Sequence, residues 1–476
     1  MLSFRVNTSR RNSLTPATLD EAAVACVYAL RTAFGLAVAA CVLAAPASSQ
    51  EHVHRPAKKQ WSVAGSQPKS LSVAPESEPT PQSELKNDFA IEQASHTFVT
   101  SDDAAVHESA WPITAERPIT AERRSDAWLS VEYLNWTTSG GDLPPLIRSS
   151  PGLPAQQTGV LGQPGDTLFG GDSNDFTDSG VRIGGGWWFD HCHTRGVEIF
   201  YSGLPQSREV ARFDSDAFPR LGRPVFDTVP GVEAAMLIAH PDFLAGHVSV
   251  DQSSEFHHVE VLRRDLQFQN ACRRIDSLIG LRYASLADSL LISQSSTYTA
   301  PQGQIIAGTQ RDLFDSFEAS NRFQGLVLGV DYTETVGVLS LHARGTLGLG
   351  NNRTEVAIDG RTVTTVPVPG LPDDTAIFDG GLLAQTTNIG THSRNRFVVM
   401  PEAFLGVSAR FHYGWEIKAG YQLIYWSDAA QSVNQVDRRV SQFPPEPTAG
   451  IGAPVVLMDS GGVLIHGLQA GVVCNF

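Results

Sequence analysis

The sequence predicts an all-β fold: a transmembrane, antiparallel, up-and-down β-barrel of about ten strands. Three observations carry this. Short stretches alternate apolar and polar residues with a period of two, their connections alternate between short and long, and an apolar leader of export type precedes them. Composition agrees, with 42% hydrophobic residues, only 18% charged and 42 glycines among 476 residues. The net charge of −15 speaks against nucleic acid as a partner, because binding phosphate chains needs an excess of Lys and Arg.

The first element is the leader. Ala33–Ala45 (AFGLAVAACVLAA) follows Arg31 and is too short to cross a bilayer, but it suits a secretory apolar region. Ala45-Pro46-Ala47 then offers a small-x-small cleavage site, so residues 1–47 read as a signal peptide. Asp20 and Glu21 are unusual so early in such a signal and fit a start downstream of Met1. Val38-Ala39-Ala40-Cys41 is the competing lipoprotein pattern; simple cleavage is preferred because the apolar run continues past Cys41.

Residues 48–124 form the second element, rich in Pro, Ser, Glu and Gln, with the tandem repeat PITAER-PITAER at 112–123. Such a stretch lacks the apolar surface to offset chain-ordering entropy and reads as a disordered linker, on the periplasmic side of the outer membrane.

The barrel occupies 125–476. Its strands read as 127–136, 179–189, 196–203, a weakly alternating run over 253–267, then 275–286, 323–332, 339–349, 397–411, 415–426 and 463–476. Short connections (DHCHTR, FQNACRR, TETVG, HYG) alternate with long ones over about 138–178, 204–252, 287–322, 350–396 and 428–462. A barrel with tight periplasmic turns and large external loops does this; a soluble sandwich has no reason to.

The HYG turn fixes a register. A three-residue loop pairs Phe411 with Trp415, Arg410 with Glu416, Ala409 with Ile417 and Leu405 with Tyr421, with Gly414 at the left-handed position. In WEIKAGYQLIYW (415–426), Trp415, Ile417, Tyr421 and Tyr425 then face lipid, while Glu416, Lys418 and Gln422 face the lumen. The last strand ends in Phe476, with Leu468, Ala470 and Val472 on the same face, a signal for the barrel-assembly machinery. Outer-membrane lipid and that machinery are the expected partners.

Several segments resemble the beta-barrel porin-7 family of bacterial outer-membrane proteins. They are VEYLNW (131–136), GDTLFGG (165–171), GLRYASL (280–286), DSFEASNRFQG (315–325), LGLGNN (347–352), VMPEAFLGVSARF (399–411) and GYQLIYWSDAAQSVNQVDRRV (420–440). The resemblance spans about 127–476. It implies an outer-membrane β-barrel and brings no catalytic or binding residues with it.

Candidate chemistry is sparse. His191-Cys192-His193 and Cys272 sit in two neighbouring turns and can be read as a zinc site, a Cys192–Cys272 disulfide or unlinked turn residues. Asp102-Asp103, Asp373-Asp374 and His392 permit a hydrolase without indicating one. GLGNN and GGGWW do not follow the strand-to-helix pattern of phosphate loops. The expectation is a non-enzymatic protein without catalytic residues, cofactor or metal. The lumen would hold Glu132, Arg182, Glu198, Arg282, Arg344, Glu402, Arg410, Glu416 and Lys418. Either these charges cross-link and plug the barrel, giving a structural or adhesive surface protein, or they line a passive channel for small solutes.

Overall fold

The computed structural model describes residues 126–171, 173–412, 414–444 and 452–476. The signal peptide, the linker with its repeats and Asp102-Asp103 lie outside the described residues.

Ten long strands alternate in direction along the chain: β1 (Ala127–Asp142), β2 (Ser173–Trp188), β3 (Arg195–Asp214), β4 (Leu244–Gln269), β5 (Arg273–Tyr298), β6 (Gln310–Val336), β7 (Leu339–Val366), β8 (Gly390–His412), β9 (Trp415–Ala429) and β10 (Gly461–Asn475). Each pairs antiparallel with its sequence neighbours, and β10 pairs with β1, so the hydrogen-bonded order returns to its start. The first and last strands meet at one rim, where Ala127 and Phe476 exchange backbone hydrogen bonds of 3.1 and 2.9 Å.

All ten predicted strands are present, but most are longer than their predicted limits. β6 begins at Gln310 rather than 323, and β7 runs on to Val366 rather than 349. The reason lies on the outer face. Along β5 the outward residues Ile279, Leu281 and Tyr283 give way to Ser285, Ala287 and Ser289 and, past a lone Leu291, to Ser293 and Ser295. Along β6, Val330, Leu328 and Leu326 give way to Gln324, Arg322, Ser320 and Glu318. The apolar outer stripe that marks a strand in sequence stops, yet the ladder continues. The expected long loops over 287–322 and 350–396 are therefore mostly strand, shrinking to 299–309 and 367–389. The alternation of short turns and long connections persists.

The tight turn also differs by one residue. Leu405–Tyr421, Ala409–Ile417 and Arg410–Glu416 pair as expected, but Trp415 pairs with His412 rather than Phe411, through a register shift after Arg410. Gly414 adopts φ +85°, and its carbonyl accepts the Asn475 backbone N–H at 2.8 Å. Tying the turn to β10 absorbs the extra residue as a bulge.

The remaining long connections turn inward. Ile147–Ser149, Asp166–Phe169, Leu221–Asp227, Val232–Ala239 and Arg439–Val440 form a second, small sheet drawn from three different connections. Its apolar residues, including Ile147, Leu221, Val225 and Ile238, pack in one buried cluster with the inward barrel residues Val248, Val250, Leu290, Ile292, Phe317 and Ile358. Loop and wall thus share a single core at that end.

Candidate functional site

The lumen is where the chemistry concentrates, because period-two alternation sends every second residue of all ten strands inward. It is filled in three layers. Nearest the short turns lies a double charge lattice. Arg264 reaches Glu198, Asp276 and Asp331 at 3.1, 2.9 and 3.0 Å. Arg344 holds Glu198 at 2.9 Å and Asp331 at 2.6 Å. Arg274 closes this group on Asp276 at 2.7 Å, with its guanidinium 4.6 Å from the Trp188 ring centre.

A few residues farther in, Arg282 spends its whole fork. It donates to Glu260, to the Met400 carbonyl at 2.8 Å, to Thr346 Oγ1 at 2.7 Å and to Glu402 at 2.5 Å. Gln422 donates to the other Glu402 oxygen at 2.8 Å, and Arg182 stands 3.9 Å from it. Gln469 and Lys418 attend Glu132 at 2.9 and 3.8 Å. Arg282, Glu260 and Glu402 are all essentially inaccessible to water. Charges so buried persist only when paired and hydrogen-bonded, and the two signs interleave throughout this lattice.

The second layer is apolar. Trp136, Phe256, Leu286, Phe323, Met400, Ile424 and Trp426 form one buried cluster across the barrel. The third is the loop sheet, pinned by polar wall residues. Asp315 takes the Arg223 guanidinium at 2.6 Å and the backbone N–H groups of Leu383 and Ala384 at 2.8 Å each. Asn321 pairs with Ala430 in both directions, at 2.7 and 2.9 Å, and Asn352 donates to the Asp428 carbonyl at 2.9 Å. Asp288 accepts the Ser432 N–H at 2.5 Å, and burial pushes its carboxyl up to about 7.

Glu132, Arg182, Glu198, Arg282, Arg344, Glu402 and Lys418 all sit in the lumen, as their strand positions foretold. Arg410 lies opposite Glu416, whose close contacts go instead to Ser408 and to His342 at 3.6 Å. Sequence reasoning missed His258, Glu260 and Arg264, because β4 carries polar residues on both faces. Its outward side holds Glu255, His257, Arg263 and Asp265.

Among the described residues, the one His/Cys/Asp/Glu group close enough to share an ion is His258, Glu260 and Glu402. Arg282 already lies between the two carboxylates, so the arrangement is that of an ion-pair lattice. Among the described residues no disulfide forms, and Cys192 and Cys272 are exposed. His193 stacks on Trp188 with ring centres 5.1 Å apart, and both His191 and His193 approach Asp126 at 3.7 Å. Asp190 clamps this turn by accepting the N–H groups of Thr194 and Arg195 at 2.9 Å each; the Thr194 hydrogen bond is the main reason its carboxyl lies below the usual range. Asp373 and Asp374 are exposed at a hairpin tip, whereas the His392 Nε2 is buried, and His392 forms no ion pair among the described residues.

The outer wall is the reverse of the lumen. Val131, Tyr133, Val181, Ile279, Leu281, Leu326, Leu328, Val330, Leu405, Val407, Ile417, Leu423, Leu468 and Val472 are exposed around the short-turn half of the barrel. Tyrosines there turn their hydroxyls to polar neighbours, Tyr201 to His257 at 2.9 Å and Tyr421 to His466 at 2.6 Å.

A family model described as putative beta barrel porin-7 matches residues 128–476. Among solved structures, the outer membrane protease OmpT from Escherichia coli is similar over 75% of this chain and 98% of its own, with 7% identity and a TM-score of 0.37. A FadL homologue from Pseudomonas aeruginosa is similar over 74% and 90%, with 8% identity and a TM-score of 0.20. The TodX deltaS2S3 mutant, a monoaromatic hydrocarbon channel, is similar over 74% and 91%, with 6% identity and a TM-score of 0.22. No curated protein matches the chain.

Proposed function

The chain belongs to the putative beta barrel porin-7 family, and from that premise we propose that it is an outer-membrane β-barrel closed by its own interior, a structural, surface-presenting protein rather than a passive channel. The observation that carries this reading is the layered lumen: a paired charge lattice, an apolar layer and a loop sheet follow one another with buried side chains at every level. A channel needs a continuous wet path, and buried side chains at each of these levels speak against one.

Membrane placement is supported by the inside-out distribution of polarity. Exposed aliphatic side chains encircle one half of the wall while charges fill the interior, an arrangement that is costly in water and favourable in lipid. The short turns and both ends of the barrel chain then lie on the periplasmic side. The long connections lie outside, where rigid scaffolds commonly carry recognition.

Planar-bilayer recording with the refolded full chain tests the function. The reading expects inserted, heat-modifiable protein without conductance steps. Discrete, reproducible steps would establish the passive channel in its place.

A further inference from the structure

Just beyond the apolar outer band, two arginines face each other across the β6–β7 ladder. Arg322 is the direct partner of Arg353, both on the outer wall and both exposed. Like charges placed directly opposite in a sheet repel, so the sequence tolerates an unfavourable pair here. Arg353 has only a 3.6 Å approach to Glu355, itself half-buried, and Arg322 forms no ion pair among the described residues.

Depth gives this pair its meaning. One outward row nearer the short turns is Tyr283–Gln324–Asn351–Phe397, and the next is Leu281–Leu326–Leu349–Val399. Phe397 is 72% exposed. The arginine row, Ser285–Arg322–Arg353–Asn395, therefore stands where aliphatic contact ends and an aromatic girdle meets polar surface. In a membrane that is headgroup depth. Two guanidinium forks with hydroxyl and amide groups on either side suit a doubly charged, multi-oxygen acceptor, which Arg binds in bidentate fashion.

We propose that Arg322 and Arg353 form a binding site for the headgroup phosphate of an anionic outer-leaflet lipid. An anion between them turns the repulsive pair into a bridged one and fixes this wall in the leaflet. The proposal rests on the membrane reading given above and adds a ligand class to it.

The test uses the full chain in phosphatidylcholine vesicles doped with diphosphoryl lipid A, with native mass spectrometry counting the lipid A retained on release. The doubly substituted Arg322→Gln, Arg353→Gln chain should retain about tenfold less than the unaltered one. Arg361→Gln, on the same wall but farther from the apolar band, should retain as much as the unaltered chain. Equal retention by the double variant overturns the site, as does an equal loss in Arg361→Gln, which would indicate bulk charge. Displacement by excess inorganic phosphate would assign the pair to a free anion and overturn the lipid. Heat-modifiable mobility and resistance to alkaline extraction are read on the same samples. A chain that stays in the aqueous fraction overturns the membrane reading along with this site; an inserted chain without lipid A selection overturns only the site.

Discussion

Arg282 shows how much a single side chain can be asked to hold. Its donors satisfy two buried carboxylates, a threonine hydroxyl and a backbone carbonyl on three different strands. Replacing it with Met leaves Glu260 and Glu402 in the same dry space, with Arg182 3.9 Å from one of them. Removing one partner from a buried ion pair costs about 3–5 kcal/mol, so Arg282→Met should lower the urea midpoint of the folded, fast-migrating gel band by a matching amount. An unchanged midpoint would mean the lattice contributes little. Asp288 makes a second residue-scale prediction. Its pKa is raised to about 7 by burial under the 430s loop, so the folded state favours the protonated form. The stabilisation is fully present below the ordinary carboxylate pKa, near 4, and is lost as pH rises through about 7. Hydrogen exchange at the Ser432 amide should therefore slow at pH 5 relative to pH 8 beyond the intrinsic chemical rate. In Asp288→Asn that excess should vanish; if it survives, another group controls the loop.

Strands were legible in the sequence to the extent that their outer face is apolar. That is why the alternation marks β9 almost to its ends but only part of β6 and β7: it fades where Leu326 is succeeded by Gln324 and Arg322. The β4 run alternates weakly for the related reason that its outward side mixes Val259 and Val261 with Glu255, His257 and Arg263. Depth, not just facing, should then govern tolerance. Leu328 lies in the middle of the apolar band, paired with Leu347 and Ile279; Ser320 lies outward on the same strand, beyond Arg322. Leu328→Arg should cost about 2–4 kcal/mol of folding free energy in lipid vesicles and Ser320→Arg about 1 or less. Similar costs at both positions would contradict the assigned band.

At the scale of the molecule, the segments that carry the family resemblance are the ones that fill the barrel. GLRYASL brings Arg282, DSFEASNRFQG brings Asp315 and Asn321, LGLGNN brings Asn352, and the long 420–440 segment brings Gln422, Asp428 and Ala430. Their inward residues were readable as lumen-facing from strand periodicity alone. What they touch was not readable, because the partners come from connections distant in sequence that have no period of their own. Arg223 meets Asp315 only because a hairpin folds back into the barrel. We propose an interior packed shut from rim to rim. It is tested most directly by thiol access at Thr346, buried in the lumen beside Arg282. In a chain whose Cys192, Cys272 and Cys474 are replaced by Ser, Thr346→Cys should stay unmodified by a small water-soluble methanethiosulfonate in vesicles, while Ser320→Cys on the outer wall reacts. Rapid modification of Cys at 346 in the folded protein would contradict a closed lumen.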